Sequence, residues 1–443
     1  MYYTSFYFSR ADSIARGGVL WYNTLKQEKG VLFMENGFSL TPIIRPSVPR
    51  DAASAFGPIA SEEVRAFHKS FPGYGKTPLV RLDFLAEKIG VSALYIKDES
   101  FRFGLNAFKA LGGSFAIGKW ISDKLGIPIK ELPYERMVSD EIREKLGCPT
   151  FITATDGNHG RGVAWTARML GCRCIVFMPK GSAQERLMNI RALGADAEIL
   201  DCNYDECVRR AARLADENGY VLVQDTAWEG YEETPKNIMR GYTTMGAEIV
   251  EQLKSDKPTY IFLQAGVGAM AGAMTGYFAS YYGENRPKII IVEPNKANCI
   301  YLTAKADDGE RHFVTDDMNT IMAGLACGEP CTIGWEVLRN HADYCASIPE
   351  YAAADAMRAL GKPIGNDQRV ISGESGAAGF GFALALLTDP ALIHMKETLK
   401  LDSSSRILCI STEGATDEQN YNDIVLHGAY SREVGIEDHY GKI

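Results

Sequence analysis

From about residue 77 onward, short apolar runs alternate with helical patterns, and this alternation restricts the possible folds more than any other feature. The runs are ALYIK (93–97), TFITAT (150–155), CRCIVFM (172–178), AEILD (197–201), YVLVQD (220–225), YIFLQA (260–265), KIIIVE (288–293) and RILCIS (406–411). Several are rich in Ile and Val and apolar at both parities, the pattern of a strand covered on both faces. Helical stretches such as 160–170, 182–193 and 205–217 separate them, and Gly171, Gly194 and Gly219 follow these helices where a left-handed stop is expected. Repeated right-handed βα crossovers give an α/β protein with mostly parallel sheets flanked by helices. Residues 127–149 break the rhythm with polar, charged character and are expected to be a surface excursion.

Composition narrows the function. Asp+Glu outnumber Lys+Arg, 56 to 47, for a formal net charge of −9. A general nucleic-acid or anionic-membrane binder would carry a basic excess or stripe instead. No run approaches the ~20 apolar residues of a membrane helix. The 10 Cys show no planned spacing, and Cys172 and Cys174 flank a single Arg within an apolar run. They read as small buried hydrophobes of a reduced, cytoplasmic protein. Whether a pair such as Cys299 and Cys327 could cross-link depends on the fold. The seven His form no ligand set, so no metal site is expected.

The first 33 residues differ from the rest. They have no apolar signal core and no small-residue cleavage site, and too many aromatics for a transit peptide. Lys29-Gly30-Val31 can be encoded by AAA-GGA-GTN, which resembles a bacterial ribosome-binding site shortly before an ATG for Met34. The expectation is that translation starts at Met34 and that residues 1–33 are leader.

Three clusters carry chemistry. In the first, a strand ending near Lys97 is followed by a loop and by Asn106-Ala-Phe-Lys109-Ala-Leu-Gly-Gly-Ser114, with a helix expected from about Asn106. A lysine near a helix N-terminus meets the positive end of the dipole, which favours its neutral form. That form is the one a Schiff-base lysine needs; the plain alternative is a solvated surface lysine. In the second, Thr155-Asp156-Gly157-Asn158-His159-Gly160 lies between a strand and a helix. Its amides suit a carboxylate or phosphate, so Asp156 there must serve another purpose, unless it is an N-cap. In the third, Gly266-Val267-Gly268-Ala269-Met270 follows the YIFLQ strand and opens a helix, as a phosphate cradle does. Read alone, Gly266-x-Gly268-x-x-Ala271 with Glu293 ending the next strand also fits the dinucleotide fingerprint of a nicotinamide oxidoreductase.

Nicotinamide binding accounts for the third cluster alone. All three, with Ser411-Thr412-Glu413-Gly414 after the final apolar run, resemble the fold type II family of pyridoxal-phosphate (PLP) enzymes, typified by threonine dehydratase and the tryptophan synthase β chain. The finer resemblance is to the diaminopropionate ammonia-lyase family. It rests on the Lys109 and Asp156 segments, on Gln224-Asp225-Thr226-Ala227-Trp228 and on Ser372-Gly-Glu-Ser-Gly-Ala-Ala-Gly379. It runs from about Pro46 to near the C-terminus and leaves out residues 1–33. Threonine dehydratases carry a small residue in place of Asp156. A serine/threonine dehydratase is therefore the nearer alternative and a nicotinamide enzyme the more distant one.

The resemblance implies a large PLP-binding domain (34–110 plus 240–443), a small domain (111–239) and PLP in the cleft between them. It implies elimination of D- and L-2,3-diaminopropionate to pyruvate and ammonia by a homodimer. Lys109 would hold PLP and act as base for the L-isomer, and Asp156 as base for the D-isomer. Asp225 would be a further acid, able to hold the β-ammonium; alternatively it is a turn residue. Thr155, Asp156, Gly157 and His159 would surround the substrate, with backbone amides of 155–159 holding its carboxylate and His159 itself structural. Asn158 would meet the PLP phenolic oxygen. Gly266, Val267, Gly268, Ala269 and Met270 would bind the phosphate. Ser411 and Thr412 compete for the pyridine nitrogen, with Ser411 preferred because it ends the strand.

Overall fold

Each of the eight apolar runs becomes a strand in the computed structural model, which describes residues 33–47 and 50–432. The translated leader expected over 1–33 lies outside the described residues, save Phe33. The strands in chain order are β1 (Phe33–Glu35), β2 (Phe38–Pro42), β3 (Leu79–Arg81), β4 (Ala93–Asp98), β5 (Thr150–Ala154) and β6 (Arg173–Met178). They continue with β7 (Asp196–Ile199), β8 (Val221–Leu222), β9 (Tyr260–Gln264), β10 (Lys288–Pro294), β11 (Tyr344–Ile348) and β12 (Arg406–Ser411). They form two sheets, one ordered β1-β2-β11-β10-β9-β12-β4-β3 and the other β7-β6-β5-β8.

The smaller sheet is parallel throughout. The larger is parallel from β11 to β4, and antiparallel where β1, β2 and β3 join its edges. The interior runs declared themselves because both of their faces are apolar. Ile261 and Leu263 of β9 pack with Met270 and Phe278 of the helix Ala269–Tyr282. Phe262 between them packs with Phe380 and Phe382 of the helix Glu374–Thr388 on the other face. Each such side chain contributes about 1.5–3 kcal/mol when fully buried. The antiparallel strands β1, β2 and β3 and the mixed run of β11 carry a weaker pattern, and the sequence reading missed them.

Two further expectations need correction. YVLVQD pairs only at Val221–Leu222, because the Gln224 N–H donates to the Tyr231 hydroxyl at 2.8 Å and leaves the ladder. The surface excursion expected over residues 127–149 is largely exposed but more structured than its polar character suggested: it forms short helical turns that bury Ile129, Leu132, Met137 and Ile142. Four apolar side chains spaced among charges are enough to dock the segment. Helices Asn158–Leu170 and Tyr204–Asn218 end on Gly171 and Gly219 with φ of 69° and 68°, as expected. Among the described residues, no single helix is long and apolar enough to cross a membrane.

Candidate active site

In open α/β sheets, ligands bind beyond the carboxyl ends of the strands. Here Asp156 follows β5, Asp225 follows β8, Gly266 follows β9 and Thr412 follows β12. They line one cavity of about 1040 Å³ together with Lys109, Thr155, Asn158, His159 and the run from Gln264 to Ala271. The structure thus brings together twelve of the fourteen sequence-predicted site residues and leaves out Gly157 and Ser411.

Lys109 is the N-cap of the helix Ala110–Leu125. The helix does not begin near Asn106, because residues 106–108 are engaged by the segment after β12. The Asn106 amide donates to Ala415 O at 2.8 Å, Gly414 N donates to Asn106 O and Phe108 N to Thr412 O. The expectation of a neutral lysine is also corrected. Lys109 Nζ lies 2.5 Å from Asp225 Oδ2. Burial works against its charge, but the Asp225 carboxylate outweighs burial, and the amine is held above the ordinary lysine range. A full negative charge in contact is stronger than the roughly half charge of a helix terminus.

Burial alone would lift the Asp225 carboxyl, yet the His159 ring and the Lys109 ammonium hold it well below the usual carboxylate range. Burial also pushes His159 down. The ring is therefore neutral, and the ammonium is the charge that counts. His159 Nε2 donates to Val223 O at 2.7 Å, which makes this residue a brace between the loop and β8. Asp225 Oδ1 is 3.4 Å from the Tyr204 hydroxyl, which also accepts from Gln224 Nε2 at 2.8 Å.

The loop after β5 is held from inside: the Thr155 hydroxyl accepts from Gly157 N at 2.9 Å and from Gly160 N at 3.0 Å. Gly157 itself does not line the cavity. Its φ is 151°, and a Cβ there would sit 2.9 Å from Arg186 Cδ, so this glycine makes room for an arginine rather than for substrate. Asn158 donates to the Glu413 carboxylate.

Gly268 caps the helix Ala269–Tyr282 with φ of 89°. A Cβ there would meet Ile300 Cδ1 at 2.7 Å, and one on Gly266 would meet Cys327 Sγ at 3.2 Å and Gly324 O at 3.3 Å. The first-turn amides of that helix have no intrahelical acceptor, so they converge on the cavity as an anion cradle. Glu293 takes no part. It is buried, pushed up to about 8 by burial against the opposing pull of backbone N–H groups, and accepts from Ile300 N and Tyr301 N at 3.0 and 2.6 Å. It caps the next helix instead of reaching a ribose.

The preference for Ser411 over Thr412 is reversed. Ser411 is buried against Ser372, Oγ to Oγ 2.8 Å, because strand alternation turns it away from the cavity. Thr412 lines the cavity, and its hydroxyl accepts from Gln264 Nε2 at 3.0 Å, leaving its own proton free to be donated. The reading from sequence also missed Arg186, Tyr204, Gln264 and Glu413, all of which line the cavity. Only Gln264 had a signal, as a polar residue ending an otherwise apolar strand. All ten cysteines are free thiols, Cys299 and Cys327 included.

Comparison with known proteins is consistent with this arrangement. Residues 70–412 match the family described as "Pyridoxal-phosphate dependent enzyme". The matched span includes Gly266 and Glu293, so the nicotinamide alternative is set aside. The chain is 50% identical over 370 residues to a diaminopropionate ammonia-lyase of Salmonella typhimurium, covering 83% of this chain and 92% of the relative. The crystal structure of the Escherichia coli diaminopropionate ammonia lyase in complex with D-serine aligns with a TM-score of 0.83 and 43% identity, over 91% of this chain and 99% of that one. The same enzyme in complex with an aminoacrylate-PLP azomethine reaction intermediate aligns at 0.82 and 43%, over 90% and 100%. The chain belongs to the pyridoxal-phosphate dependent enzymes and, among them, to the diaminopropionate ammonia-lyase family.

Proposed function

We propose that this chain eliminates ammonia from D- and L-2,3-diaminopropionate, converting substrate and water into pyruvate and two ammonia. The observation that carries the reading is the placement of a lysine, two aspartates and an anion cradle around one cavity.

The residues fit PLP. A primary amine stands at the cavity wall, and the Cβ positions of the Gly266–Gly268 turn are already filled by neighbours. A hydroxyl with its proton free stands at Thr412. Lys109 would hold the aldehyde carbon, the backbone of Gly266–Met270 the phosphate, Asn158 the phenolic oxygen and Thr412 the pyridine nitrogen. When bound, the cofactor supplies an electron sink for the negative charge left at the substrate α-carbon. A neutral hydroxyl partner tempers that sink, which suits elimination.

The chain's own groups then divide the proton work. Lys109, once its amine is free and neutral, takes the α-proton of the L-isomer, and Asp156 that of the D-isomer. The first-turn amides of Asn158 and His159 receive the carboxylate, since those of Thr155 and Gly157 are taken by Phe177 O and the Thr155 hydroxyl. Asp225 already binds one ammonium, that of Lys109, at 2.5 Å, and a β-ammonium has the same chemistry. Holding that amine protonated makes it a better leaving group. This reading takes residues 111–239 as a small domain, and carries a homodimer and a cytoplasmic setting from the resemblance and the cysteine usage.

The deciding experiment is pyruvate and ammonia release by the purified holoenzyme, with D-diaminopropionate, L-diaminopropionate and serine compared. Turnover of both diaminopropionate isomers well above serine is expected. Preferential turnover of serine would make the chain a dehydratase of the same fold.

A further inference from the structure

The helix Gln184–Arg191 places one arginine where the mechanism above has no role for it. Arg186 is only 8% exposed. Its aliphatic stem lies over Gly157, where a Cβ would sit 2.9 Å from its Cδ. Its guanidinium bridges two segments: Nη1 is 3.5 Å from Asp156 Oδ2 at the cavity, and Nη2 is 3.4 Å from Thr416 Oγ1 beyond β12.

Asp156 is poised by this contact. Its Oδ2 is buried and makes no hydrogen bond among the described residues, although the side chain as a whole is 27% exposed. The exposed area therefore lies on the rest of the carboxylate, toward the cavity. Described groups close enough to Asp156 to feel its charge include Lys109, His159, Arg186, Tyr204 and Cys327. Among these, burial keeps His159 neutral and raises Tyr204 and Cys327, so they are neutral too. Lys109 is paired with Asp225 and is the amine that would hold the cofactor. Arg186 is the cation in contact with Asp156. Its own charge is in turn supported by Glu413, Glu374 and Asp417.

We propose that Arg186 is the positioning residue for Asp156: it fixes Oδ2 and turns Oδ1 toward the α-hydrogen of the D-isomer. The inference rests on the reading of Asp156 as the D-isomer base. It makes the D-to-L turnover ratio a property of a residue that need not touch substrate. The competing role for a buried cavity arginine is to anchor the substrate carboxylate, which both isomers share.

The test compares holoenzyme variants Arg186→Met and Arg186→Lys with Asp156→Asn, each on both isomers and on α-deuterated D-substrate. Bound-cofactor absorbance checks that the site is assembled. Arg186→Met should lower kcat on the D-isomer about tenfold to hundredfold, the scale of a misplaced reacting group. It should leave kcat on the L-isomer within about threefold and raise the α-deuterium isotope effect on the D-isomer. Arg186→Lys, which keeps stem and charge, should restore part of the D-turnover. If Arg186→Met loses its cofactor absorbance, Arg186→Lys decides alone: a partial loss confined to the D-isomer supports the proposal, and no loss or equal loss overturns it. Equal losses on both isomers, or a rise in KM alone, would assign Arg186 to the carboxylate and overturn it as well. If Asp156→Asn is D-selective while the Arg186 variants are not, the base reading stands and this proposal fails alone. If Asp156→Asn is not D-selective, both fail.

Discussion

Glu248→Gln tests what holds the Lys109 segment in place. Glu248, on the helix Glu233–Leu253, accepts from Lys97 Nζ at 2.8 Å and from Arg102 Nη1 and Nη2 at 2.9 and 2.8 Å. Arg102 also pairs with Glu99 at 2.9 Å. All four charges are essentially buried, and they tie β4 and the turn Glu99–Gly104 to that helix, just ahead of Lys109. Glutamine keeps the shape but leaves two cations facing one carboxylate. Removing one partner of a buried set costs about 3–5 kcal/mol. The titration points the same way. Burial would raise the Glu248 carboxyl, but Arg102 and Lys97 outweigh it and bring it down to about 2. Against an ordinary value of 4.5 that corresponds to roughly 3 kcal/mol.

A carboxylate whose folded pKa is depressed stabilises the fold above its unfolded pKa. That contribution fades as pH falls from about 4.5 toward 2. With an unfolding entropy of ~2.1 cal/mol/K per residue over 443 residues, Glu248→Gln should lower Tm by about 3–5 °C at pH 7. The gap to wild type should shrink by roughly 1 kcal/mol by pH 4. Thermal unfolding followed by circular dichroism at pH 7, 5 and 4 measures both. Because none of the four residues lines the cavity, kcat at 25 °C should stay within about twofold. A variant as stable as wild type, or a gap that does not change with pH, would refute the reasoning.

Lys109→Ala should remove the visible absorbance of covalently held cofactor and abolish turnover, and a spectrum of the purified variant checks this. Gly268→Ala forces a Cβ into φ of 89° and to within 2.7 Å of Ile300 Cδ1. Strain of ~1–3 kcal/mol in the cradle should weaken PLP affinity about fivefold or more, measurable by titrating apoenzyme. Thr412→Val should shift the cofactor absorbance and reduce kcat, whereas Ser411→Ala should leave the spectrum unchanged, since the Ser411 hydroxyl is held by Ser372. Equal spectral effects would reinstate Ser411.

The interior strands were legible because each is apolar on both faces, and the cluster segments because glycine turns between a strand and a helix have few other uses. Lys109, Asp156, Asn158, Asp225 and the Gly266–Met270 turn could all be named before their distances were known. The short strands β1, β2 and β3 could not, since they join the sheet by antiparallel register, which has no local signature. Nor could the docking of residues 127–149, where four apolar positions among charges look like a solvated stretch.

What the sequence determined by itself was the α/β class and the inventory of chemical groups, because both follow from periodicities and turn types confined to short windows of chain. Tertiary structure decided which group faces which. It paired Lys109 with Asp225 across 116 residues, turned Thr412 rather than Ser411 toward the cavity, made Glu293 a helix cap, and laid Arg186 over Gly157 beside Asp156. Charge state and aim depend on neighbours a few ångströms away that are remote along the chain, and local pattern carries no record of them.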